Sequence, residues 1–177
     1  MSGGTHDHQQ PSAAPRAVRA GGAGSHPRRT SESELRRPVV QSGWSPLGMS
    51  VHVREGVRGF LDEIMLGNTP YYPVPGDFEV DPCLSGAEML ERFEHVTASA
   101  LEGVVHLPLD ATPTNWPTDI FGAWRLETLE EVFCHLLGET SCHLGHLDIA
   151  RELIDGATWD LESGTLNRQR GLPQGQD

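Results

Sequence analysis

Residues 126–155 read LETLEEVFCHLLGETSCHLGHLDIARELID, and the periodicity of this stretch decides the fold. It holds no proline, and Gly138 and Gly145 do not interrupt its pattern. At about 100° per residue, Leu129, Val132, Phe133, Leu136, Leu147, Ala150 and Ile154 fall on one arc of a helix. His143 sits inside that arc, where a core leucine would be ordinary. Glu139 lies one turn earlier, with His135 and His146 further round toward the same edge. Residues four apart are stacked neighbours on a helix, so Glu139 and His143 can reach one point in space. A carboxylate and an imidazole aimed together into a helical core suit part of a metal site. A buried hydrogen-bonded pair without metal is the alternative that these two residues alone leave open.

Composition narrows the function classes. A chain of 177 residues has room for one domain and a tail, with a real core. Its formal net charge of −12 argues against a nucleic-acid binder, because neutralising phosphates requires a basic face. No run approaches the roughly 20 apolar residues of a membrane-spanning helix, and no signal peptide is visible. Cys83, Cys134 and Cys142 are odd in number and lack CxxC spacing. Disulfides are therefore not expected, and a cytoplasmic location fits.

Residues 1–30 are rich in Gly, Ala, Pro, Ser and Arg, with few large apolar side chains, and are expected to form a disordered tail. His6 and His8 read as part of that solvated tail. Ser45 as N-cap and Pro46 at the first helical position start a helix expected to reach Leu66, stopped by Gly67-Asn68. His52 lies at the border of its apolar arc, beside Gly56 and Gly59. Read alone, it is a boundary histidine. Residues 67–84 contain four Pro and two Gly and form a loop over one end of the bundle. The capping box from Ser85 to Glu88 opens a further helix to about Gly103, with Leu90, Phe93, Thr97, Ala100, Leu101 and Val104 as its core and His95 on the surface. A Pro/Thr/Trp-rich connection covers 105–125. Gly156 ends the long helix, and residues 161–177 form a flexible C-terminal tail.

Three segments carry a resemblance to a known family: SGWSPLGMSVHVREGVRGFLDEI, the loop ending DFEVDP, and WRLETLEEVFCHLLGETSCHLGHLDIARELIDGATW. Together they resemble the DinB-like superfamily, in the uncharacterised branch near mycothiol-dependent maleylpyruvate isomerase. The resemblance covers residues 31–160 as one domain. It implies an all-α, antiparallel four-helix bundle, with a divalent metal held between its second and fourth helices. The first helix of the usual four is missing or degenerate, since residues 1–30 cannot supply it. A three-helix remainder would expose an apolar groove, which invites a homodimer. By resemblance to the mycothiol-dependent members, the metal ligands are His52, Glu139 and His143. His146 is expected in the outer shell, and the His135–His146 edge is the alternative site.

Two imidazoles and one carboxylate leave a coordination position open for water, thiolate or substrate. Zn²⁺ fits that set best, and Ni²⁺ or Fe²⁺ accept it too. The resemblance favours a metal-dependent transferase or isomerase using a low-molecular-weight thiol of the mycothiol type on a small molecule. Two readings compete: a non-catalytic stress-associated or ligand-binding bundle, and a non-haem iron oxygenase built on the same triad.

Overall fold

The computed structural model describes residues 30–68, 77–160 and 165–168. The expected tails, 1–30 and 161–177, lie almost wholly outside these. The described chain is helical, as expected. Helix α1 spans Glu32–Arg36, α2 Pro46–Arg58, α3 Gly86–Val104, α4 Thr118–Phe121 and α5 Leu129–Asp155. A π-helical segment, Gly59–Met65, extends α2 directly. Three long helices thus carry the domain, and no fourth of comparable length occurs among the described residues.

Local chemistry starts each helix where its polar side chains permit. Ser45 accepts from the Gly48 N–H, with Pro46 in the first turn, and Ser85 and Glu88 form the reciprocal capping box. For α5, Thr128 is the N-cap and Leu129 the first helical residue, three positions after Leu126, where the periodicity suggests a start. Two loop carbonyls set that start. The N–H groups of Leu129 and Glu130 donate to Ala111 and Leu109, both at 2.9 Å, satisfying donors that a helix leaves unpaired at its beginning. Gly156, with φ of 71°, closes α5 in the left-handed conformation.

Gly86 lies against Leu47, and Gly103 against Leu66, so α2 and α3 run in the same direction. His52 faces His143, whereas Phe60 faces His135, so α5 runs opposite to α2. Phe60, Leu61, Ile64 and Met65 pack with Ala100, Val104, Leu129, Val132 and Leu136 as the main core. Leu47, Val51 and Met89 make a smaller one. Short α1 serves as a brace. Its Glu32 carboxylate accepts from the Gly86 N–H at 2.9 Å, and its Arg36 donates to the Leu84 carbonyl. Both contacts fix the start of α3.

Two expectations need correction. Leu90 and Leu101, placed in the core by periodicity, are exposed. Ala100 and Val104 are buried as expected and are joined by Met89, which was not expected there; this side turns toward α2, while Phe93 is half-buried. Strands were not anticipated, yet Ala157–Asp160 (β1) pairs antiparallel with Thr165–Arg168 (β2). Leu137 and Leu144 on α5 are likewise exposed, so the domain carries apolar surface on α3 and α5 that no described element covers.

Candidate metal centre

The seam between α2 and α5 brings together two stripes of residues spaced by four. On α2 and its π-helical extension these are His52, Gly56 and Phe60; on α5 they are His143, Glu139 and His135. Because the helices run in opposite directions, His52 meets His143 and Phe60 meets His135. The Nε2 atoms of His52 and His143 are 3.2 Å apart, with the rings edge to face. Glu139 Oε2 lies 3.5 Å from His143 Nε2. His143 is largely shielded, its side chain 15% exposed, whereas the Glu139 side chain is 53% exposed. Burial first, then the neighbouring imidazole of His52, holds the His143 imidazole below the ordinary histidine value, against the opposing pull of Glu139.

A loop completes the surroundings of His52. Its Nδ1 is 2.6 Å from Asp77 Oδ2, and Phe78 stacks on its ring with centroids 4.5 Å apart and planes 15° from parallel. Gly48 makes this approach feasible, since a Cβ there would sit 2.6 Å from the Phe78 carbonyl oxygen. A carboxylate on Nδ1 favours the tautomer that keeps the proton there, leaving the Nε2 lone pair aimed at His143. The Nδ1 of His143 is buried without a partner.

His146 and His135 lie at opposite ends of the seam. His146 is exposed, its ring 5.7 Å from that of His143 and 6.0 Å from that of Trp44. His135 belongs instead to an aromatic cluster with Phe60 and Trp124. Asp77 and Phe78 are the neighbours that sequence reading missed. They fall within the quoted DFEVDP loop, but no periodicity assigns a loop residue to a helix face. Among the described residues, no group of three or more His, Cys, Asp or Glu side chains meets the geometry of a formed metal site.

The family model for mycothiol-S-transferase matches residues 28–156, well over half of the chain. No curated protein and no solved structure matches significantly.

Proposed function

The chain belongs to the mycothiol-S-transferase family, and from that premise we propose that it is a metal-dependent thiol transferase whose cation is held by His52, His143 and Glu139. The observation that carries this reading is the facing pair of Nε2 atoms at 3.2 Å, with a carboxylate oxygen 3.5 Å from one of them. Ligand atoms lying 2.0–2.2 Å from a shared tetrahedral centre are about 3.3–3.6 Å from one another, a range that includes the carboxylate separation of 3.5 Å and lies just above the 3.2 Å between the two nitrogens. The donor set, two imidazoles and a carboxylate, suits Zn²⁺ and also accepts Ni²⁺ or Fe²⁺. Asp77 on His52 Nδ1 is the outer carboxylate that metal-binding histidines usually carry.

Bound in this set, a divalent cation would supply an open position at which a thiol loses its proton near neutral pH. The protein's own residues do the rest. Asp77 keeps the proton of His52 on Nδ1, and Phe78 covers one face of that ring. Burial keeps His143 unprotonated, so its Nε2 remains a donor to the cation. Glu139, reaching in from the solvent-facing side, lends negative charge and leaves an entrance along the seam. The thiol sulfur then forms a bond to an electrophilic carbon of a small molecule. Either a leaving group departs from that carbon, or the carbon next to it takes up the proton released by the thiol.

Metal analysis of the purified protein, paired with an assay of mycothiol consumption by a soluble electrophile, tests this proposal. Bound metal together with metal-dependent consumption is the expected result. Metal without consumption would favour the non-catalytic bundle, and neither would remove the reading.

A further inference from the structure

The two stripes along the α2–α5 seam do not end at the histidine pair. One turn further, Gly56 stands opposite Glu139, and a Cβ at Gly56 would meet nothing within 4 Å. Gly56 therefore leaves open space beside the seam, next to a mostly exposed carboxylate. Another turn on, the His135 ring lies 4.9 Å from Phe60 and 5.2 Å from Trp124. Trp116 and Phe121 back that group, each within 5.4 Å of Trp124. The Trp116 indole N–H donates to the Trp124 carbonyl at 3.1 Å, which fixes the loop that carries the wall. Trp124 itself is 43% exposed. Core packing accounts for Phe60. It does not account for the Trp124 indole, left nearly half in solvent while the Trp116 indole N–H holds its backbone carbonyl.

Distance decides what such a wall can receive. His135 and His143 are eight residues apart on one continuous helix, which places the wall about 12 Å from the histidine pair at 1.5 Å per residue. An electrophile must touch the reacting sulfur, so a small one would not extend that far. The thiol itself can. Mycothiol joins its cysteinyl sulfur through an amide to a glucosamine and then an inositol, a reach of about 10–12 Å at standard bond lengths. Its sugar end is uncharged and presents C–H faces to an aromatic plane and hydroxyls to polar rims. The amide in between would pass over Gly56, within reach of Glu139.

We infer that Trp124 and His135, backed by Phe60, Trp116 and Phe121, form the subsite that receives the sugar end of the thiol, so that the seam reads the whole cofactor and not only its sulfur. This rests on the proposed thiol chemistry at the histidine pair.

The test compares binding of mycothiol and of N-acetylcysteine methylamide, which keeps the thiol and both amides but lacks the sugars, by calorimetry on the zinc-loaded full chain. The wild type is expected to prefer mycothiol by at least tenfold. Trp124→Ala should reduce that preference about tenfold through loss of stacking, and Trp124→Phe should restore most of it. Circular dichroism and zinc content check that each variant is folded and loaded. Should both thiols bind with equal affinity, or should Trp124→Ala leave the ratio unchanged, the sugar subsite is wrong while the metal site stands. Binding of neither thiol by the zinc-loaded wild type would overturn the underlying thiol chemistry and the subsite with it.

Discussion

His52 and His143, ninety-one positions apart in the chain, hold their Nε2 atoms 3.2 Å from each other across the α2–α5 seam. Two neutral imidazoles in that arrangement must share a proton or present two lone pairs to one another. A cation between them satisfies both nitrogens at once. The surrounding structure favours this arrangement, since Asp77 occupies the far nitrogen of His52 and Phe78 stacks on its ring.

The loop contact on His52 predicts a sensitivity at a distance. Gly48→Ala would place its methyl 2.6 Å from the Phe78 carbonyl oxygen, so the loop must move away and take Asp77 with it. Metal affinity should fall by about 10–100-fold, as when an outer carboxylate is lost. Asp77→Ala should give a similar loss without the steric change. Metal titration of the two variants checks this. Unchanged affinity in both would mean that Asp77 does not orient His52.

His143 stands where a core leucine would serve. His143→Leu should abolish metal binding and raise the thermal stability of the metal-free protein, because a partly buried imidazole with an unpaired Nδ1 is replaced by an apolar side chain. His146→Ala, on the exposed rim, should retain the metal. If His146→Ala loses the metal while His52→Ala keeps it, the site belongs to the His135–His146 edge.

Acid should weaken the fold through Glu55. Burial pushes its carboxyl up, but hydrogen bonds from Arg58 and Arg54 outweigh burial and leave it below the ordinary value of 4.5. A depressed folded-state value means that the contribution is complete above the ordinary value and is lost as pH falls through the folded one. Stability should therefore drop below about pH 4.5, and Glu55→Gln should flatten part of that drop. Thermal melts from pH 7 to pH 3 read it out.

Proton competition at His143 has the same sign. Its imidazole lies below the ordinary value of 6.5, so it is ready to bind a cation at neutral pH, and affinity should decline on acidification only below that value. An affinity that shows no decline down to the pH at which the protein unfolds would speak against histidine ligands.

What the sequence revealed, and what it hid, follows from the period of each element. Glu139 and His143 share a helix face, so their meeting was legible from spacing four. His52 was legible only as a border residue, because nothing local tells which helix it faces. Leu90 and Leu101 misled because α3 is apolar over a wider arc than α2 covers. Asp77 and Phe78 lie outside any helix, and the close approach of Phe78 is permitted by the absent side chain of Gly48 rather than by any repeat. The π-helical segment was hidden for a related reason. Loop N–H groups of Thr114 and Asn115 donate to the Met65 and Ile64 carbonyls, a long-range contact that no local pattern reports.

The central claim is that one cation, held by His52, Glu139 and His143, binds a thiol. Cobalt substitution followed by mycothiol addition tests it most directly. The expected result is a thiolate-to-cobalt charge-transfer band in the near-ultraviolet that appears with wild type and is absent with His143→Leu. Wild-type protein that takes up no Co²⁺, or that binds Co²⁺ and shows no such band on saturation with mycothiol, would contradict it.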